Sequence, residues 1–140
     1  MTLDETLERF RAAANAMARG DADAVKALYS HADDVTLANP FGHAVKGWGD
    51  VAAALDYVAG RFRDGEVTEF RNIARYETAD LATFLDVEHW RTSVGAGDPS
   101  DFELRVSSTY RNEDGEWKLV HRHADPIATF DAEGPIRRTT

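Results

Sequence analysis

The sequence has 140 residues and no cysteine, and its 25 acidic residues outnumber its 16 basic ones, giving a formal net charge of −9. This length fits one domain, and the lack of cysteine excludes disulfides, thiolate metal sites and a cysteine nucleophile. An acidic surface repels phosphate groups, and no apolar run is long enough to span a membrane, so we expect a cytoplasmic protein without a nucleic-acid or membrane partner.

Helices are predicted in the first half of the chain. Apolar residues recur at helical spacing from residue 3 to residue 17. Thr2 and Glu5 form a capping box at the start of this segment, and Gly20 is a natural stop. The predicted elements of this half are helices over 3–17, 21–29 and 51–62 and a short strand over 35–38.

Long strands are predicted in the second half. Turn-rich joints separate the stretches, and short joints between long strands predict an antiparallel meander. Helices followed by a run of strands indicate an α+β fold rather than alternating α/β. The predicted strands cover 66–78, 81–94, 101–111 and 116–125. We therefore expect a single domain over 1–126 and a frayed C-terminal tail over 127–140.

The alternation of side chains along each strand assigns one sheet face to the helices. On the strand over 101–111 the apolar set is clear, and on the strand over 81–94 we match Leu85 and Val87 to it. The predicted inner face then holds apolar Leu85, Val87, Leu104, Val106 and Val120, and polar His89, Ser108, Tyr110 and Arg122.

The opposite face collects a mixed set of side chains. Glu88 and Arg105 would form an ion pair between adjacent strands, and His121 and His123 would join a structural network or an interface. These histidines lack the further ligands of a strong zinc signature, so we predict no metal site. An apolar patch there predicts a homodimer contact; its members are Trp90, Trp117 and Leu119.

The register of the last strand stays open at this point. A five-residue turn before Trp117 gives the assignment above. A turn of four residues would flip the strand and bring Trp117, Leu119, His121 and His123 inside.

Three segments carry a family resemblance: residues 33–42, Gly47-Trp48, and the run over 110–123. They resemble the nuclear transport factor 2-like superfamily and, within it, the SnoaL-like, ketosteroid-isomerase-homologue branch. The end of the last run is also similar to the association domain of calcium/calmodulin-dependent kinase. The resemblance covers about residues 3–126 and implies a cone-shaped curved antiparallel sheet wrapped around three helices and a pocket, commonly in a dimer.

The resemblance also bears on activity. Ketosteroid isomerases of this superfamily carry a carboxylate base just before the proline of the first-strand turn, where this chain has Asn39. Their oxyanion donors, a helix tyrosine and a protonated carboxylic acid, are also missing, since the matching strand reads Ser107-Ser108-Thr109. Steroid isomerase activity is therefore not expected. SnoaL-type aldol cyclases need a His or Asp in the pocket, which His89 could supply.

These observations predict a small-molecule-binding protein with an apolar pocket and no cofactor. The ligand would be a small apolar or aromatic molecule with one acceptor or anionic group, and the reaction that of a lyase, isomerase or cyclase on a polyketide- or steroid-like compound. The alternative is a non-catalytic homodimeric interaction module, which a side-chain-filled interior would favour. The predicted ligand contacts are Asn39, His89, Ser108, Tyr110 and Arg122.

Overall fold

A computed structural model describes residues 1–126 of the protein. The helices are α1 (Leu3–Ala18), α2 (Asp23–Leu28) and α3 (Trp48–Ala59), and the strands are β1 (Thr36–Ala38), β2 (Val45–Lys46), β3 (Phe62–Glu77), β4 (Leu81–Val94), β5 (Pro99–Glu113) and β6 (Glu116–Pro126). The α+β prediction is confirmed, whereas the predicted tail over 127–140 lies outside the described residues. Within residues 1–126 no helix is both long and apolar enough to cross a membrane.

The first helix begins and ends where its sequence predicts. The Thr2 Oγ1 atom accepts a hydrogen bond from the Glu5 backbone N–H at 3.1 Å, as a capping residue does. At the other end Gly20 has a φ of 97°, and a Cβ atom there would lie 2.9 Å from the Phe62 carbonyl oxygen. Glycine therefore serves both the left-handed conformation and the close approach of β3.

The strands form one curved, unclosed sheet in the order β2-β1-β6-β5-β4-β3. The four long strands are antiparallel, as the short joints predict. The short strand β1 adds to β6 in parallel, with Thr36 opposite His121. Helix α1 contacts β3, β4 and β6. We call the sheet face that α1 covers the inner face and the opposite one the outer face.

A bulge in β6 settles the register of the last strand. Asp114 and Gly115 form a two-residue turn with positive φ at both positions, which pairs Tyr110 with Leu119. The pairing then shifts by one residue at Val120, so that Ser108 lies opposite Arg122. The inward placement of Arg122 is confirmed, and so is the outward placement of His121 and His123. The outward placement of Leu119 and Trp117 is wrong, because both lie before the bulge and pack into the core.

The predicted inner face of β4 is reversed. The buried residues of its inner face are Ala82, Phe84, Glu88, Trp90 and Thr92, while Leu81 and Leu85 are 47% and 41% exposed. The two aromatic rings bury more apolar area than Leu85 and Val87 would, which explains why they take the inside. Three predictions are consequently wrong: inward His89, the Glu88–Arg105 pair, and the outer patch of Trp90, Trp117 and Leu119.

Candidate functional site

The strand register arranges the inner-face residues in rows that run across the sheet. Paired residues of neighbouring strands point to the same face, so each line of partners forms a row across the sheet. The three central rows, from β3 to β6, are Phe70-Glu88-Leu104-Pro126, Asn72-Asp86-Val106-Ala124 and Arg75-Phe84-Ser108-Arg122.

An ion pair lies at the centre of these rows. Arg122 donates from Nη1 to Glu88 Oε2 at 2.9 Å and from Nη2 to Glu88 Oε1 at 2.7 Å. Trp90 Nε1 donates a third hydrogen bond to Glu88 Oε1 at 2.9 Å. Burial alone would raise the pKa of Glu88, but the adjacent Arg122 charge holds the pKa below its usual value. Glu88 is therefore ionised at neutral pH, and its negative charge is matched by Arg122.

A cavity of about 190 Å³ lies between α1 and the inner face. Helix α1 forms one wall, the three sheet rows form the other, and charged residues stand beside aromatic ones. We call it the polar cavity; its lining is Leu7, Phe10, Arg11, Phe70, Asn72, Arg75, Phe84, Asp86, Glu88, Ser108, Tyr110 and Arg122.

Two hydroxyl groups of the polar cavity are free to bind. Neither Ser108 nor Tyr110 forms a side-chain hydrogen bond within residues 1–126, although both residues are buried. Burial strongly raises the pKa of Tyr110, so its hydroxyl keeps the proton and can donate it in a hydrogen bond. The cavity therefore presents two donors to an acceptor atom.

The polar cavity has two carboxyl groups, and Asp86 is the one that forms no ion pair within residues 1–126. Its Oδ1 atom accepts one hydrogen bond, from Asn72 Nδ2 at 2.8 Å. Burial raises the pKa of Asp86, and the negative charge of Glu88 raises it further, while the Asn72 bond acts in the opposite direction. A carboxyl with a raised pKa that lines the same cavity as a hydroxyl donor can carry a proton to or from a bound molecule.

Besides Arg122, two arginines line the polar cavity, and they differ in their partners. Arg75 pairs with Asp4 and Glu77, in each case at 3.0 Å. The guanidinium carbon of Arg11 lies 5.6 Å from the centre of the Phe70 ring, and Arg11 forms no ion pair with any residue of the described chain. Arg11 is thus the cation of this cavity whose charge is available to an anion.

A second cavity of about 60 Å³ adjoins the first. We call it the apolar cavity, because Asn39 and Arg122 are the polar residues of its lining. The Asn39 Oδ1 atom accepts the Phe41 backbone N–H at 2.9 Å, which closes an Asx turn before the β1–β2 connection. The full lining is Phe10, Ala14, Met17, Val25, Leu37, Asn39, Pro40, Phe41, Leu55, Val58, Phe62, Trp90, Leu104, Arg122 and Ala124.

The family model described as SnoaL-like domain matches residues 7–129. The chain belongs to this SnoaL-like family. Among curated proteins none matches the sequence. Solved structures of the nuclear transport factor 2-like superfamily share the fold, in agreement with the resemblance drawn from the sequence.

Three solved structures illustrate the likeness. A nuclear transport factor 2-like protein from Salmonella enterica serovar Typhimurium is 17% identical, with 93% of this chain and 92% of that chain covered and a TM-score of 0.74. A provisionally assigned dehydratase of the same superfamily from Streptomyces avermitilis is 17% identical, with 91% and 95% covered and a TM-score of 0.73. A provisionally assigned kinase association domain from Thiobacillus denitrificans, of the calcium/calmodulin-dependent type II, is 21% identical, with 89% and 94% covered and a TM-score of 0.72. At these identities the likeness shows the fold.

Four of the five predicted ligand contacts line the two cavities of this SnoaL-like domain. Ser108 and Tyr110 line the polar cavity, Asn39 lines the apolar cavity, and Arg122 lines both. His89 lies on the outer face and contacts Glu103 through its Nε2 atom. Three residues of the polar cavity were not predicted from the sequence: Asp86, Asn72 and Arg11. Phe84 lies two positions before Asp86 and Trp90 two positions after Glu88, and these aromatic residues were the signal that both carboxylates point inward.

The outer face of the domain carries polar pairs and an open cavity of about 250 Å³, which is lined by Leu85, Arg105, Val106, Ser107, His123 and Asp125. Arg105 pairs with Asp125 at 3.0 Å, and the Thr36 hydroxyl lies 2.7 Å from His121 Nδ1. Partial burial and the neighbouring His123 lower the pKa of His121. Within residues 1–126 no group of three or more metal-ligating side chains is arranged around a common point.

Proposed function

We propose that this SnoaL-like domain binds a small, mostly apolar molecule with one acceptor or anionic group in the polar cavity. One observation carries the proposal: the hydroxyls of Ser108 and Tyr110 belong to buried residues, line a cavity and have no hydrogen-bond partner within residues 1–126. No fully buried side-chain polar atom of the described residues lacks a partner, so these two hydroxyls face the space of the cavity. An acceptor group of a bound molecule could therefore accept a hydrogen bond from either of them.

The size of the cavity limits the molecule. Sites for drug-sized ligands measure roughly 300–1,000 Å³, and the polar cavity measures about 190 Å³. A single ring therefore fits better than a steroid or a multi-ring polyketide. Because Glu88 already neutralises Arg122, an anionic group of the molecule would pair with Arg11 instead.

The side chains also suggest a reaction class. Asp86 would take a proton from a carbon next to a carbonyl group, while the Tyr110 hydroxyl would donate a hydrogen bond to the carbonyl oxygen as negative charge develops there. Enolisation of this kind underlies isomerase, lyase and aldol-cyclase reactions. The dehydratase assignment of the Streptomyces avermitilis neighbour agrees with a lyase. We do not propose steroid isomerisation, because Asn39 cannot act as the base.

Two serines that are adjacent in sequence provide a matched test of binding. Ser108 lines the polar cavity, whereas Ser107 is exposed on the outer face. Calorimetry of the full chain with a panel of phenols and benzoic acids should detect binding to the wild type and to Ser107→Leu, and at least tenfold weaker binding to Ser108→Leu. Equal affinities for the two variants, or no binding by any panel member, would refute the proposal.

The proton-transfer step can be tested with a simple ketone. Wild-type protein in D2O should accelerate deuterium incorporation at the α-carbon of cyclohexanone, measured by proton NMR. Asp86→Asn should abolish the acceleration and keep phenol binding, since only the proton carrier is lost. An unchanged exchange rate in Asp86→Asn would exclude this carboxyl as the base.

We also propose that the outer face forms a homodimer contact, because apolar side chains are exposed there. Leu81, Leu85 and Tyr76 are 47%, 41% and 68% exposed, and the register places all three on the outer face. Light scattering should give twice the chain mass of 15.5 kDa, and Leu85→Lys should give a monomer. A monomeric wild type at micromolar concentration would sink this proposal. The cytoplasmic location stays a prediction.

A further inference from the structure

We propose that the Phe10 ring is a movable partition between the two cavities, and that a straight-chain carboxylic acid occupies both when the ring turns aside. The inference rests on the proposed binding function and names its ligand class. Phe10 and Arg122 are the two residues common to both cavity linings. The carboxylate would lie in the polar cavity and the end of the hydrocarbon chain in the apolar cavity.

The two cavities differ in chemistry in the way an amphipathic chain requires. The polar cavity has Arg11, Ser108 and Tyr110 as unpaired donors. The apolar cavity is walled by hydrocarbon and aromatic side chains, with the Asn39 side chain used in its own turn. A carboxylate gains charge-assisted hydrogen bonds in the first, and methylene groups gain burial in the second.

Of the two residues that separate the cavities, Phe10 is the one that can move. Arg122 is fixed by two hydrogen bonds to Glu88, and its displacement would leave a buried carboxylate without its cation. The half-buried Phe10 ring is held by packing and by the Arg122 guanidinium, whose carbon lies 5.2 Å from the ring centre. A change of Phe10 rotamer breaks no hydrogen bond.

The volume of the apolar cavity also limits the length of the acid's hydrocarbon chain. One water-sized group needs about 10–15 Å³ of free volume, so a cavity of about 60 Å³ accepts roughly four such groups. Acids too short to pass Phe10 would bind weakly. Each further methylene that enters the apolar cavity should tighten binding about fourfold, until roughly four have entered.

The test is calorimetry of the full chain with straight-chain acids of increasing length, from butanoic to dodecanoic acid. The wild type should show a step-like rise in affinity with chain length, followed by a plateau. Phe10→Ala should raise the ratio of the affinity for long acids to that for short acids. Leu7→Ala is the matched control, because Leu7 lines the polar cavity alone, and it should not alter the dependence on length.

Met17→Phe tests the apolar cavity without changing Phe10. Met17 lines the apolar cavity alone, and the larger ring should remove at least tenfold of the affinity gained by long acids while preserving that of short acids. If Phe10→Ala does not fold, Phe10→Leu and Met17→Phe still decide the matter. Thermal unfolding of each variant establishes that it is folded.

Several outcomes would overturn the partition. Affinity that is independent of chain length, or a length dependence unchanged in both Phe10→Ala and Met17→Phe, contradicts it. If phenols bind and Ser108→Leu blocks them, but no straight-chain acid binds, the partition fails and the proposed function stands. If neither class binds, both proposals fail.

Discussion

Arg122 on β6 and Glu88 on β4 form a two-point ion pair although β5 separates their strands. The Arg122 side chain spans from the Ser108 row to the Glu88 row, across the position of Val106. The exposed fractions of the Arg122 and Glu88 side chains are 11% and 2%. The pair therefore ties three strands together beneath α1.

Glu88→Gln should destabilise the protein by about 3–5 kcal/mol, because it leaves the buried Arg122 charge without its partner. The measurement is urea unfolding followed by tryptophan fluorescence. The double variant Glu88→Leu with Arg122→Met should be less destabilised than the sum of the two single variants, because no charge is left unpaired. Additive losses would show that the two charges do not depend on each other.

Tyr110→Phe should separate binding from stability. Because the hydroxyl has no partner within residues 1–126, its removal should change the free energy of unfolding by less than about 0.5 kcal/mol. The same variant should bind a phenol roughly five- to tenfold more weakly, the usual scale for one lost hydrogen bond. A loss of stability above about 1.5 kcal/mol would indicate that the hydroxyl is already bonded within the protein.

Asp86→Asn should stabilise the protein at neutral pH. Burial raises the pKa of Asp86 in the folded state above the unfolded value of about 3.9. The folded chain therefore holds this proton more tightly, and the wild type loses stability as the pH rises from the unfolded pKa through the folded one. The advantage of Asp86→Asn should vanish below about pH 4. An advantage that is constant from pH 3 to pH 8 would contradict the shifted pKa.

His121 should give the opposite dependence on pH. Its pKa is lowered by partial burial and by His123, so the unfolded chain, with a pKa of about 6.5, binds the proton first. The contribution of His121 to the free energy of unfolding is complete above about pH 6.5, and it is lost as the pH falls toward the pKa of the folded state. His121→Gln should remove this loss in urea unfolding. An NMR titration midpoint of His121 at or above 6.5 would refute the shift.

The order of helices and strands could be predicted from the sequence because each element carries its own local signal. The capping box of Thr2 and Glu5 and the turn at Gly115 act within a few residues, and both are found in the structure. The parallel pairing of β1 with β6 joins residues about 85 positions apart along the chain and has no such signal. Alternation along β5 also placed Leu104, Val106, Ser108 and Tyr110 correctly.

The site was harder to predict because β4 is apolar on both faces. Leu85 and Val87 alternate with Phe84 and Trp90, so the pattern does not decide which set is buried. Because Leu85 and Val87 were assigned to the inner face, the two faces of β4 were interchanged. His89 was therefore predicted to point inward and Glu88 outward. In β6 the bulge at Val120 shifts the pairing by one residue, so the residues before and after it follow different alternation patterns. A single alternating pattern along the strand therefore cannot predict which side chains point inward.

NMR can test directly whether a small molecule binds in the polar cavity. The phenol of highest affinity should be titrated into isotopically labelled full-length protein while backbone amide shifts are recorded. We predict that the largest changes occur at Asp86, Ser108 and Tyr110, and that Ser108→Leu removes them whereas Ser107→Leu does not. Changes confined to Leu81 and Leu85 on the outer face, or no saturable change at any amide, would contradict a ligand site in the polar cavity.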